Sequence, residues 1–178
     1  MKNIKMIVGL GNSTKKFEKT RHNAGHWYIN NLAKFFNISL KKKKEGEIGT
    51  ILINNLKIKL FKPNSFMNLS GIPIFYIASF YKIKLNNILV VHDELDLIPG
   101  IVQFKKGYGH NGHNGLKSII NNFNQKNTAQ HYFFRIRIGI GRPASSTTIS
   151  NFVLSIPSSQ EKLLINNSIK NNIKSTYT

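Results

Sequence analysis

Between residues 133 and 141 the chain alternates strictly. Arg135 and Arg137 fall on one side, and Ile136, Ile138 and Ile140 on the other. That period of two predicts a strand with one apolar face. The runs "IKMIVGLG" (4–11) and "NILVVHD" (87–93) are apolar without alternation, as buried strands are. "IVQFK" (101–105) reads as a shorter strand after the turn at Pro99-Gly100. "GTILIN" (49–54) and "KIKLF" (57–61) flank Asn54-Asn55 and predict a tight hairpin. Elsewhere the period lengthens. Ala24, Tyr28, Leu32 and Phe35/Phe36 mark one face of a helix over 22–36. "MNLSGIPIFYIASFYKIK" (67–84) predicts a second helix, with Pro73 tolerated near its first turn. "NGLKSIINNF" (114–123) and "QEKLLINNSIKNNIK" (160–174) predict two more, the last fraying at its tip. "KKKKEGE" (41–47) reads as a solvated loop.

Strands and helices therefore alternate, with one inserted hairpin. The expected fold is a single α/β domain spanning 1–178, a twisted mixed sheet flanked by helices on both faces. In such sheets the site lies beyond the C-terminal ends of the central strands. Asn12, Asp93 and the loop Gly107–Gly115 belong there.

Composition narrows the chemistry. The chain has no cysteine, which excludes disulfides, thiolate metal sites and a cysteine nucleophile. No segment has the length of a membrane span or the form of a signal peptide, so a cytoplasmic protein without membrane contact is expected. Twenty-six basic against seven acidic residues give a net charge of +19. A polyanionic partner such as nucleic acid explains this. So does AT-rich coding drift, since Lys, Asn and Ile are abundant throughout.

Candidate chemistry is sparse. Gly107-x-Gly109-x-x-Gly112 has the glycine spacing of a dinucleotide-binding loop, but the acid that should follow by about 20 residues is missing. There is no P-loop, nucleophile elbow or H-E-x-x-H. His22 and His26, four apart on a helix, could seat a metal with Asp93 or a distant histidine as third ligand. Three of the seven acids fall in "DELD" (93–96). Glu94 and Asp96 read as a polar turn. Asp93 ends a buried strand and needs a partner. His22 suits that role, either as a core pair or as a water-activating base oriented by the carboxylate. Asn12, Asn68 and Asn114 sit at element junctions, as caps or as amide groups around a reacting carbonyl.

Taken in order, "VGLGN", "TRHNAG", "KPNSFMNLSG", "DELDLIPG", "GHNGHNGLKSI", "RIRIGIGRP" and "NFVLS" resemble the bacterial peptidyl-tRNA hydrolases over about residues 4 to 165. The resemblance implies hydrolysis of the ester between a peptide and its tRNA, which recycles tRNA from peptides released early. It implies His22 as general base and Asp93 as its stabiliser. It implies that Asn12 separates peptidyl from aminoacyl substrates, and that Asn68 and Asn114 position the substrate. Phe66 and Met67 would line the cleft, with Phe17 near the tRNA. The Gly107–Gly115 loop would approach the tRNA 3′ terminus, its helix N-terminus favouring negative charge. Lys105, Lys106, Arg135 and Arg137 would meet the phosphates of the acceptor end. No metal or cofactor is implied, and the family is typically monomeric. A non-catalytic RNA-binding relative is the alternative. The chain departs from the family pattern at Ser13-Thr14, where Pro-Gly is usual, at Tyr108 and Asn111, where glycine is common, and at Gln103, where a basic residue is frequent.

Overall fold

The computed structural model describes residues 3–123, 132–144 and 147–177. In chain order the elements are β1 (Met6–Gly9), α1 (Ala24–Phe35), β2 (Lys41–Lys42), β3 (Gly46–Ile53), β4 (Leu56–Pro63), α2 (Gly71–Phe80), β5 (Ile88–Glu94), β6 (Val102–Gly107), α3 (Asn114–Phe123), β7 (Phe133–Gly139), α4 (Ile149–Val153) and α5 (Ser159–Tyr177). The strands form one mixed sheet in the order β2-β3-β4-β1-β5-β7-β6. β4, β1, β5 and β7 run parallel at the centre, while β3 and β6 pair antiparallel outside them.

The expected α/β architecture is present, with a core on each face. Ile7, Leu89, Val91, Ile136 and Ile138 pack under α1 and α5. Met6, Val8, Val90 and Phe133 pack under α2 and α3. The alternation read in 133–141 is the alternation of β7 between the two faces of the sheet. α5 contributes Ile165, Ile169 and Ile173, one helical turn apart, and its Asn172 accepts a hydrogen bond from the Tyr28 hydroxyl at 2.9 Å.

The predicted hairpin turns at Asn54 and Asn55, whose φ values of 47° and 64° are those of a type I′ turn. Two elements differ from expectation. Lys41–Lys42, expected in a loop, pairs with Glu47 and Ile48 on the edge of β3. The helix expected from Met67 starts at Gly71, because Met67–Leu69 forms a separate 3₁₀ turn. α4 forms in a stretch whose pattern predicts no element.

One close approach sets the geometry of the site. A Cβ on Gly9 would collide with the carbonyl of Gly25, and a Cβ on Gly25 with the backbone of Leu10 and Val91. Two glycines thus let the start of α1 rest directly on β1 and β5. The turn before α1, Arg21–Asn23, is thereby held at the C-terminal end of the sheet.

Candidate active site

Asp93 is the penultimate residue of β5 and is 3% exposed. His22, in the turn leading into α1, places Nδ1 2.9 Å from both carboxylate oxygens. A second imidazole completes the set. His113 Nε2 lies 3.0 Å from Asp93 Oδ1. His113 Nδ1 accepts from the backbone N–H groups of Gly115 (3.1 Å) and Leu116 (3.4 Å), so its proton is on Nε2 and is donated to Asp93. The carboxylate therefore accepts one N–H from each ring. Burial alone would raise the Asp93 pKa, but the two imidazoles outweigh it and hold the carboxyl well below its usual range. Burial also pushes His22 down, and there the charge and hydrogen bond of Asp93 prevail and leave its pKa raised. With Nδ1 committed, His22 keeps Nε2 for the cavity that it lines.

His113 was missed in the sequence. Its signal was a histidine directly before a helix start, at the sheet end that also carries Asp93. The His22/His26 pair does not form a metal site. His26 turns away to pack against Gly11, and burial and then Lys62 lower its pKa to about 3. Among the described residues, the side chains with ligand-like spacing are His22, Asp93 and His113, all within 4.8 Å. Their facing atoms are already donors and acceptors of one hydrogen-bonded group. His92 stands behind them, its Nδ1–H donated to the Asp93 carbonyl at 2.7 Å and its ring edge-on to His113. Burial, followed by the nearby His113, lowers its pKa to about 3.

The cavity above this group is about 430 Å³. Phe66 and Met67, expected in the cleft, line it together with Phe17, Asn68 and Asn114. Asn12 is fixed from three directions. Its N–H donates to Asn23 Oδ1 (2.8 Å), its carbonyl accepts from Asn23 Nδ2 (2.9 Å), and its own Oδ1 accepts from Met67 N–H (2.8 Å). The side chain consequently offers Nδ2 to a ligand. The Asn23 clamp and the bond from Ser13 N–H to the Ser65 carbonyl (3.1 Å) shape the segment after Asn12, where the Pro-Gly turn is replaced. Ile149, Ser150, Val153 and Leu154 of the α4 region form a further wall that no sequence pattern signalled. That wall is tied to the histidine turn by Arg21. The buried guanidinium bonds both oxygens of Glu161 (3.0 and 2.8 Å), Ser155 Oγ (2.6 Å) and the Ile156 carbonyl (3.2 Å), and stacks on Phe152.

The four basic residues do not share one surface. Lys105 and Arg135 are cross-strand partners on the α3 side. Arg135 is buried, lines the cavity and donates to the Gly109 carbonyl at 3.0 Å. Arg137 is committed to Glu94 (2.8 Å) and Gln103 (2.7 Å). Lys106 alternates to the opposite face, its ammonium 4.0 Å from the centre of the Tyr132 ring. Glu94, read as a polar turn residue, is thus a buried partner of Arg137.

The glycine loop has its own explanation. Gly109 and Gly112 adopt φ of 101° and 78°, with nothing near a Cβ at either position. Glycine serves the turn there, not a close approach to pyrophosphate. Asn111 takes the left-handed conformation at φ 45° and donates to Asp96 at 2.9 Å. The loop also follows an antiparallel edge strand, so it is not the first turn of a parallel βαβ unit. Since His113 already accepts the first N–H groups of α3, the helix N-terminus is capped from within the chain.

Comparison with known proteins agrees with this arrangement. The family described as peptidyl-tRNA hydrolase matches residues 6–177. A peptidyl-tRNA hydrolase of Buchnera aphidicola subsp. Cinara cedri is 54% identical over 171 residues, covering 95% of this chain and 87% of that protein. One from Actinobacillus pleuropneumoniae serotype 3 is 48% identical over 168 residues, covering 93% and 84%. The crystal structure of peptidyl-tRNA hydrolase from Acinetobacter baumannii superposes with a TM-score of 0.89 at 39% identity, covering 98% of this chain and 87% of that one. The dinucleotide reading of the glycine loop falls with these matches. The chain belongs to the peptidyl-tRNA hydrolase family.

Proposed function

We propose that the protein hydrolyses the ester linking a peptide to the 3′-terminal ribose of tRNA, with His22 as general base. The observation that carries this reading is the His22–Asp93–His113 group beneath an open cavity. His22 Nε2 takes a proton from water as the water oxygen attacks the ester carbonyl. The resulting oxyanion is met by amide N–H groups of Asn68 and Asn114. Collapse breaks the bond to the ribose oxygen, which recovers the proton from the imidazolium. Asp93 stabilises that imidazolium, and His113 holds Asp93 in place. No metal or cofactor takes part.

The hydrogen bonding of Asn12 supports its role in choosing substrates. Its Oδ1 is occupied by Met67, so it presents only donors. A peptidyl substrate offers the carbonyl of its preceding residue to such a donor. A free aminoacyl ester offers an ammonium, which cannot accept.

The cross-strand pairing of Lys105 with the cavity-lining Arg135 supports the reading that this edge of the sheet receives the acceptor end and 3′ terminus. The working unit in this reading is a monomer acting in the cytoplasm. No helix among the described residues is long and apolar enough to cross a membrane. Turnover of N-acetyl-aminoacyl-tRNA tests the reading. Release of the blocked amino acid is expected, with the free aminoacyl-tRNA left largely intact. No release by the folded protein overturns catalysis and favours a non-catalytic RNA-binding relative.

A further inference from the structure

Residues 63–81 and 143–160 are the two longest stretches of this chain without a charged side chain. Charged residues make up 19% of the whole, and Lys and Asn occupy many exposed positions elsewhere. A passive surface over α2 would carry them too. Instead α2 exposes Ile72 (55%), Tyr76 (56%) and Phe80 (70%), with Leu69 (45%) just before it. Steps of three, four and four residues align these side chains along one face. The opposite face buries Ile74, Ile77 and Ala78 in the core. An apolar stripe left to water in a charge-rich protein marks a contact surface.

The stripe is continuous with the cavity. Phe66 and Asn68 line the mouth, and Leu69 follows Asn68 directly. The second uncharged stretch supplies the facing wall at Ile149 and Leu154. We propose that the exposed face of α2 is a docking track for the peptide part of peptidyl-tRNA. It receives apolar side chains of an extended segment several residues upstream of the ester. The inference rests on the hydrolase reading above. Hydrophobic burial is non-directional, which suits a substrate whose peptide sequence varies. A second copy of the chain is a poorer occupant, because each carries +19.

Dimensions set the reach. Ten helical residues rise about 15 Å, and an extended peptide advances ~3.3 Å per residue. About four or five peptide residues therefore cover the track, beyond the two or three that clear the cavity. An octapeptide reaches it, and an acetyl group does not. Interactions made equally in the ground and transition states lower KM without raising kcat.

The test compares three substrates: N-acetyl-aminoacyl-tRNA, a blocked octapeptidyl-tRNA with Leu, Val and Phe upstream, and its Ser-rich counterpart. Wild type is expected to show a KM about tenfold lower for the apolar octapeptide than for the acetyl substrate, the effect of burying roughly one apolar side chain. Tyr76→Lys and Phe80→Lys should each erase most of that gain while leaving the acetyl substrate unchanged. Leu52→Lys, at an exposed apolar position on the distant hairpin, should leave all three unchanged. The proposal is overturned if wild type shows no gain, if the gain survives both α2 substitutions, or if the Ser-rich peptide gains equally. It is also overturned if sedimentation shows a dimer that Tyr76→Lys dissociates, since a second copy then covers the stripe. If the acetyl substrate itself is not hydrolysed, the hydrolase reading fails, and that outcome is distinct from loss of the length dependence alone.

Discussion

The two rims of the cavity are built from different materials. One is the β6–β7 edge with the loop that follows β6. It carries Lys105, Arg135 and Arg137, anchored by Glu94 and the Gly109 carbonyl. The other joins Phe66–Asn68, the start of α2 and the α4 wall, without a charged residue in either stretch. Between them lies the His22–Asp93–His113 floor. The contrast follows the substrate, which is polyanionic on one side of its ester and a peptide on the other. It also separates two explanations of the +19 charge. Drift toward Lys acts everywhere alike, yet it has left 63–81 and 143–160 untouched. Uniform drift alone therefore does not account for the distribution of charge, which is absent from the rim that joins Phe66–Asn68 to the α4 wall.

The floor serves both rims, so damage there should be largest and indifferent to peptide or salt. His22→Ala is expected to lower kcat by ~10²–10⁴-fold with native circular dichroism and unchanged tRNA binding. Activity within a few-fold of wild type would exclude the general base. The neighbours of His22 should move the acidic limb of the pH–rate profile in opposite directions. The base acts unprotonated, and Asp93 keeps its pKa raised. Asp93→Asn removes that influence, so the limb should shift to lower pH as the rate falls. His113→Ala removes a donor that tempers the Asp93 charge, so the limb should shift to higher pH. Both limbs moving the same way would show that His113 does not act through Asp93.

Much of this was legible in one sequence, for identifiable reasons. Period-two and period-3.6 patterns marked β7, α1 and α3, and Asn54-Asn55 marked the hairpin, because local geometry decides each of them. Asp93 was legible as a carboxylate at the end of an apolar run. What the pattern could not carry was pairing between distant segments. Lys41–Lys42 has no strand signature and becomes a strand only because the β3 edge is open beside it. His113 gains its meaning from Asp93, twenty residues away. Lys105 and Lys106, adjacent in the chain, looked like one surface, although successive strand residues face opposite ways. Arg137 looked free, but Glu94 lies against it.

Arg21 offers a way to loosen the uncharged rim without touching the floor chemistry. Its guanidinium joins the turn carrying His22 to Ser155, Ile156 and Glu161, which hold the α4 wall. Glu161 also accepts the Ser158 N–H at the start of α5 at 2.7 Å. Arg21→Ala leaves these acceptors half-satisfied. The expected loss is on the order of 3 kcal/mol, read from urea unfolding. At a temperature where the variant stays folded, KM for peptidyl substrates should rise more than kcat falls. A variant as stable as wild type would mean that the rim is held without Arg21, by the apolar packing of Val153 in the core.

The smallest effect expected is on the basic rim, and it comes from a comparison of neighbours. Lys105 lies on the cavity side beside Arg135, whereas Lys106 points to the other face over Tyr132. Removing one lysine–phosphate interaction should reduce the slope of log affinity against log salt by about 0.7 to 0.9. Lys105→Ala should show that reduction with a few-fold higher KM and unchanged kcat. Lys106→Ala carries the same change in net charge, so any long-range attraction falls equally in both. A difference between them therefore reports local interaction, not total charge. If both variants flatten the slope alike, the tRNA feels only the diffuse field of the protein, and the rim holds no specific phosphate. If Lys106→Ala alone flattens it, the tRNA approaches from the α5 side of β6, and the basic rim lies on the face of the sheet away from Arg135.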